Sequence, residues 1–274
     1  MDLSQALEVA SHTDPGMVRS HNEDSIASIA DKGLVVLADG MGGYNAGEVA
    51  SGMATTVLTT ELRQLLENHA PYEVDPQSGQ KAALKMLQQQ IAKANTSIYQ
   101  ASQIQPQYAG MGTTLVDALF YDNKVMVAHI GDSRLYRMRG DEFSQVSKDH
   151  SLLQEQIDAG MLTKEQAKHS SNKNLVTRAL GIDPAVEPEI HEYDAQPGDI
   201  YLLCSDGLSD MVSDEDIGMT LQALGANLNL AAQQLVQMAN DNGGRDNVSV
   251  ILIKILREYP AGQGLASKIF GWFR

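Results

Sequence analysis

The hydrophobic pattern of this chain switches between short unbroken apolar runs and long runs of helical period. The sharpest short run, Leu34-Val35-Val36-Leu37-Ala38, ends in Asp39-Gly40-Met41-Gly42-Gly43. Its length, its β-branched residues and the glycine stop predict a buried strand that delivers Asp39 to a flexible turn. Residues Leu7 to Ser11 read as an edge strand and Ser25 to Ala30 as another strand, with a turn at Asp14-Pro15-Gly16. From Val49 to Leu66 the period becomes helical, with Ala50, Ala54, Val57, Leu58, Leu62 and Leu65 on one face. After a loop holding Pro71 and Pro76, a second helix is predicted from Lys81 to Ser102, with its stripe at Leu84, Leu87, Ile91, Ala94 and Ile98. Two such helices in succession are expected to cover one face of a sheet together.

Strands are predicted next at 114–120, 125–130, 134–138 and 142–146. Hairpin turns at Tyr121-Asp122-Asn123-Lys124 and Arg139-Gly140-Asp141 join them. Connections this short predict an antiparallel meander. Residues Lys148 to Asp183 break the pattern and read as a flap, with short helices over 151–159 and 163–169 and a polar run at 170–174. Strands at 186–193 and 199–205, helices at 213–222 and 227–241, and a strand at 247–254 complete the pattern. The order predicts an α+β fold, two antiparallel sheets packed face to face with helices outside. One domain is expected over 1–257, with a tail at 258–274. In the tail, Leu265, Ile269, Trp272 and Phe273 fit one face of a short amphipathic helix, suited to docking on the body, on a partner or on a membrane surface.

Composition narrows the class. The 274 residues are 43% hydrophobic but only 5% aromatic, so aliphatic side chains must fill the core. A net charge of −15 argues against nonspecific nucleic-acid binding. The single cysteine, Cys204, lies in an apolar run, which excludes a disulfide framework and fits a reducing, cytoplasmic setting. No signal peptide and no bilayer-spanning run is visible. A cysteine phosphatase needs an arginine six residues after its nucleophile; Asp210 stands there, so Cys204 reads as a core residue.

The chemistry lies in a recurrence. Asp39, Asp132 and Asp206 follow predicted strands and Asp246 precedes one, so all four can meet at one edge of an antiparallel core. Taken singly, Asp39, Asp206 and Asp246 could each be turn or capping residues. Together they would repel one another without a counter-charge. Oxygen ligands without Cys or clustered His point to Mg²⁺ or Mn²⁺. Two such ions held ~3.5–4 Å apart can share a bridging hydroxide for in-line attack on phosphorus. Glu23 could add a ligand, and Arg19 could grip phosphate oxygens through its planar fork. Asp24 could orient water or cap a turn, while Thr113 and Thr114 read as packing and turn residues.

Six short motifs occur in order: Arg19-x-x-Asn22-Glu23-Asp24, Asp39-Gly40-Met41-Gly42-Gly43, Gly112-Thr113-Thr114, Gly131-Asp132-Ser133-Arg134, Ser205-Asp206-Gly207-Leu208 and Arg245-Asp246-Asn247. In this combination the chain resembles the metal-dependent serine/threonine protein phosphatases (PPM, type 2C) in their compact bacterial form, over roughly residues 7–255. The resemblance implies a four-layer αββα sandwich with the site at one end. It implies that Asp39, Asp206 and Asp246 hold one metal and that Glu23, Asp39 and the Gly40 carbonyl hold a second. Asp132 and Asp206 would hold a third, weaker ion, and Arg19 would bind the substrate phosphate. One departure is Met41, where animal members carry a histidine proposed as general acid; water on the third ion is the expected substitute. The expected activity is hydrolysis of phosphoserine and phosphothreonine in proteins, by a monomer that opposes a bacterial serine/threonine kinase. Two rival readings are a phosphatase dedicated to one phosphoprotein of a partner-switching or secretion pathway, and a catalytically dead phosphoprotein-binding module. The presence of every expected ligand argues against the latter.

Overall fold

The computed structural model describes residues 2–43, 46–163, 166 and 175–261. Among these residues, eleven strands form two antiparallel sheets. The first sheet has the order β1 (Leu7–Asp14), β11 (Val248–Ile255), β10 (Ile200–Cys204), β7 (Arg134–Arg139) and β8 (Glu142–Gln145). The second has the order β2 (Asp24–Ile29), β3 (Leu34–Met41), β5 (Leu115–Tyr121), β6 (Lys124–Ile130) and β9 (Glu189–Asp194). The two-residue β4 (Gly112–Thr113) pairs with the end of β3.

Three apolar layers hold the sandwich together. Between the sheets lie Val35, Leu37, Val116, Phe120, Leu203, Ile251 and their neighbours. On the outer face of the second sheet, α1 (Ala46–Asn68) and α2 (Ala82–Ile104) bury Ala50, Ala54, Leu58, Leu62, Leu87, Ile91 and Ile98, as their helical spacing predicts. Outside the first sheet, α5 (Asp214–Leu224) and α6 (Leu228–Asp241) bury Ile217, Leu221, Leu235 and Val236. The result is the α–β–β–α layering expected. Strands β6 and β11 read as apolar on both faces because each is covered on both. Cys204 is fully buried in the outer layer of the first sheet, as a strand residue should be.

Local chemistry sets the boundaries. Ser213 caps α5 by accepting the Asp216 N–H at 3.1 Å, and Asn227 caps α6 by accepting the Leu230 N–H at 3.1 Å. The β5–β6 hairpin turns on Asp122 and Asn123, both at positive φ, the geometry a two-residue turn demands. Tyr259 is buried in the layer between the sheets, and its hydroxyl donates to the Lys124 carbonyl at 3.1 Å.

Two expectations need correction. The strands from 115 to 145 are not one meander: β5–β6 belong to the second sheet and β7–β8 to the first. The free edge of β6 is taken by β9, and β7 pairs with β10, so the chain crosses between sheets at Gly131-Asp132-Ser133. The strand of Asp39 also does not stop there. It runs on through Gly40 and Met41 because β4 supplies a partner, with Gly40 opposite Thr113. In the flap, α3 (Leu152–Asp158) forms as expected, capped by Ser151. The helix expected over 163–169, the polar run at 170–174 and the tail beyond 261 lie almost wholly outside the described residues. A single helical turn, α4 (Asp206–Ser209), was not foreseen and begins at Asp206 itself.

Candidate metal centre

Strand register brings the acidic residues to one end of the sandwich. Asp24 on β2 lies opposite Asp39 on β3. In the other sheet, Arg134, Cys204 and Val250 are in register across β7, β10 and β11, so the ends bearing Asp132, Asp206 and Asp246 coincide. The carboxyl of Asp39 is pushed well above the usual carboxylate range, first by burial and then by the charges of Asp24, Asp206, Asp132 and Asp246. Asp206 is raised in the same way, by burial and then by Asp132, Asp210, Asp246 and Asp24. Burial raises Asp132 to about 6, with Asp149 adding to the effect. Asp24 is likewise raised to about 6, mainly by burial, although the Ser205 hydroxyl donates to its Oδ2 at 2.8 Å. Glu23 is raised by burial, which outweighs the pull of Arg19. Arg19 stands at the rim, 52% exposed, with its Nη2 donating to Asp246 Oδ2 at 2.7 Å. The structure therefore brings together Arg19, Glu23, Asp39, Asp132, Asp206 and Asp246, with Gly40 next in line on β3.

The chemistry of this donor set fits hard divalent cations. It offers only oxygen, and its carboxylates hold one another's charges in check at an energetic cost that a divalent ion would remove. Asp39, Asp206 and Asp246 could hold one ion, Glu23, Asp39 and the Gly40 carbonyl a second, and Asp132 with Asp206 a third. Gly40 has a packing reason as well. A Cβ there would lie 2.1 Å from the Gly47 carbonyl oxygen, so glycine lets the start of α1 close against β3.

Several residues that position the site carry no such role in the sequence pattern. Thr113 and Thr114, read as packing and turn residues, anchor Asp39. The Thr113 hydroxyl donates to the Asp39 carbonyl at 2.8 Å, and the Thr114 hydroxyl accepts the Asp39 N–H at 3.0 Å. Thr114 Oγ1 also lies 2.7 Å from Ser133 Oγ, beside Asp132. Asn247 ties the Arg19 loop to the site: its Oδ1 accepts the Glu23 N–H at 2.8 Å, and its Nδ2 donates to the carbonyls of Pro15 and His21. Ser205 bridges Asp24 and the Ser249 N–H. Their position inside the short motifs was the available signal; their partners are up to 232 residues away, which no local pattern shows.

A second cluster lies on the flap side. Ligand atoms of His129, His150 and Glu189 lie within 4.8 Å of one another. Burial lowers the pKa of both His129 and His150, which favours the neutral rings.

Comparison with known proteins identifies the family. The family model for protein phosphatase 2C matches residues 11–251. The serine/threonine protein phosphatase PstP of Mycobacterium tuberculosis is 39% identical over 261 residues, covering 95% of this chain; the chain spans only 47% of that protein's length. The serine/threonine phosphatase stp of Listeria innocua is 35% identical over 245 residues, covering 88% of this chain and 93% of the relative. A crystal structure of the catalytic domain of PstP in complex with two manganese ions superposes with a TM-score of 0.79 at 38% identity, covering 92% of this chain and 99% of that one. With the match spanning both sheets and every aspartate of the cluster, the chain belongs to the protein phosphatase 2C family.

Proposed function

We propose that this protein is a Mg²⁺- or Mn²⁺-dependent phosphatase that hydrolyses phosphoserine and phosphothreonine in proteins. The observation that carries the reading is the convergence of Asp39, Asp132, Asp206 and Asp246 at one end of the sandwich, with Arg19 at its rim. The family supports it, as do the two manganese ions of the PstP catalytic domain. Metal ligation is assigned to Glu23, Asp39, the Gly40 carbonyl, Asp132, Asp206 and Asp246. Bound there, two divalent ions would neutralise the carboxylates and lower the pKa of water for direct attack on phosphorus, with no covalent enzyme intermediate.

The chain's own groups supply the rest. Arg19 presents a planar guanidinium at the solvent edge, suited to two oxygens of a phosphate monoester. The Asp39 backbone is held by two threonine hydroxyls, Thr114 accepting its N–H and Thr113 donating to its carbonyl, which fixes the point from which the strand presents the carboxylate. Met41 has no ionisable proton to give a leaving alkoxide, so that proton must come from elsewhere. Every residue assigned to the site comes from one chain, which supports a monomer as the working unit. No helix among the described residues is long and apolar enough to cross a membrane. A buried, unpaired Cys204 suits the reducing cytoplasm, where a serine/threonine kinase would supply the phosphoprotein substrates.

The test is hydrolysis of a phosphothreonine peptide with Mn²⁺, with Mg²⁺ and with chelator, beside Asp39→Asn. Activity that needs metal and disappears in the variant is expected. Activity that persists in chelator or in Asp39→Asn overturns the assignment.

A further inference from the structure

We propose that His150 is a positioning residue for Asp132, acting through Gly131, with Glu189 bracing its ring. The proposal rests on the reading of Asp132 as a ligand of a divalent cation.

Gly131 sits where the chain leaves one sheet for the other, at φ +99°. Pairing of β6 with β5 ends at Ile130 opposite Leu115, and pairing with β9 ends at His129 opposite Glu189. The Gly131 peptide groups are thus beyond both ladders. His150 supplies the partners a strand would have given. Its N–H donates to the Gly131 carbonyl at 2.9 Å, and its ring Nδ1 accepts the Gly131 N–H at 3.2 Å. One residue therefore grips both backbone groups of the residue before Asp132. Asp149, next to it, takes a bidentate grip from Arg134, with Nη2 2.7 Å from Oδ2. The corner from 131 to 134 is held at both ends by adjacent residues at the root of the flap.

The ring is itself fixed. A backbone N–H always carries its proton, so Nδ1 is the bare nitrogen and the neutral ring is protonated at Nε2. Nε2 lies 3.4 Å from Glu189 Oε2, the acceptor that this tautomer needs. Glu189 is steadied by His191, whose Nε2 is 2.9 Å from Oε1. His129 stacks on His150 with centroids 4.9 Å apart and an interplanar angle of 20°, and its own Nε2 meets the Lys148 carbonyl at 2.8 Å.

The same three residues could be taken for a cation cage, but the ring chemistry opposes it. A metal on Nε2 of His150 would place a proton on Nδ1, directly against the Gly131 N–H. A ligating histidine usually donates its second N–H to an acceptor, and here the neighbour is a donor. His129 Nε2 is already committed to the Lys148 backbone.

Nitrogen NMR of the metal-stripped protein reads the tautomer: a bare Nδ1 and protonated Nε2 on His150 are expected, and a protonated Nδ1 overturns the proposal. Function is tested by calorimetric Mn²⁺ titration of wild type, Asp132→Ala, His150→Leu and His150→Asn, with melting curves alongside. His150→Leu should weaken the binding step that Asp132→Ala removes by about 10–100-fold, the range found for partners that orient metal ligands. His150→Asn keeps an acceptor near the Nδ1 position and should restore most of that binding. If His150→Leu folds and binds Mn²⁺ as wild type does while Asp132→Ala does not, positioning fails and the ligand reading stands. If Asp132→Ala binds normally, the ligand reading fails and takes the proposal with it. If His150→Leu, His129→Leu and Glu189→Leu each lose an ion that Asp132→Ala keeps, the cluster is a cation site and the proposal is wrong. Should His150→Leu not fold, Glu189→Leu leaves His150 in place and carries the test, with a smaller weakening of the same step expected and none overturning it.

Discussion

Thr114 and Asp39 are joined by two hydrogen bonds: the Thr114 hydroxyl accepts the Asp39 N–H at 3.0 Å, and the Thr114 N–H donates to the Asp39 carbonyl at 2.9 Å. The same hydroxyl touches Ser133, one residue from Asp132. One side chain thus links two of the converging aspartates. Thr114→Val keeps the shape but leaves the Asp39 N–H without an acceptor. It should cost about 1–3 kcal/mol of stability, the penalty for a buried unsatisfied donor. It should also lower kcat at saturating metal, and Thr114→Ser should recover most of both. Thermal melts and steady-state kinetics on one phosphopeptide check this.

Arg19 is exposed and already bonded to Asp246, so its removal should spare the fold. Arg19→Lys keeps the charge but loses the fork. Loss of one charge-assisted hydrogen bond, worth about 1.5–3 kcal/mol, should reduce kcat/KM by about 10-fold or more. Mn²⁺ binding should be no weaker than in wild type. A lysine variant with wild-type kcat/KM would remove Arg19 from the phosphate site.

Asp117 points out of β5 toward the helices, between Leu115 and Leu119, fully buried. Neither carboxylate oxygen has a hydrogen-bond partner among the described residues, and burial pushes its pKa well above the usual range. Asp117→Val should stabilise the protein by about 1–3 kcal/mol near neutral pH, the cost of an unpaired buried polar group. The sign with pH follows from proton linkage. The folded state holds this proton longer than the unfolded state does, so wild-type stability falls as pH rises through and above the ordinary carboxylate range. The advantage of valine should shrink at acid pH and grow with rising pH. Denaturant titrations of both proteins across pH test it, and a variant less stable at every pH would contradict it.

Burial raises the Cys204 thiol to about 12. It should resist alkylation in the native protein and react only on unfolding. Cys204→Ala should keep kcat while losing some stability from the cavity it leaves. Rapid modification of the native enzyme with loss of activity would restore a role for the thiol.

Much of the architecture was legible because it is written in period. The helical stripes of α1 and α2, the alternation or continuity of apolar strands, and the two-residue turn at Asp122-Asn123 each express a local rule. The aspartates were legible because each stands where a strand ends. Illegible were the ties between them. Whether β6 and β7 share a sheet depends on which strand takes the edge of β6, and β9 lies about 60 residues further on. The extension of β3 through Gly40 needed β4, which arrives only after two helices.

Taken alone, the amino-acid sequence determined the elements, the aliphatic core and the acidic residues that can bind hard cations. These follow from side-chain chemistry and from periods spanning a few residues. Only the tertiary structure decided which sheet each strand joined, that Asp24 faces Asp39, that Thr114 and Asn247 hold the site's loops, and that His150 grips Gly131. Those relations are hydrogen bonds between residues far apart in the chain. They exist only once two sheets have paired, closed on a common core and brought their ends together.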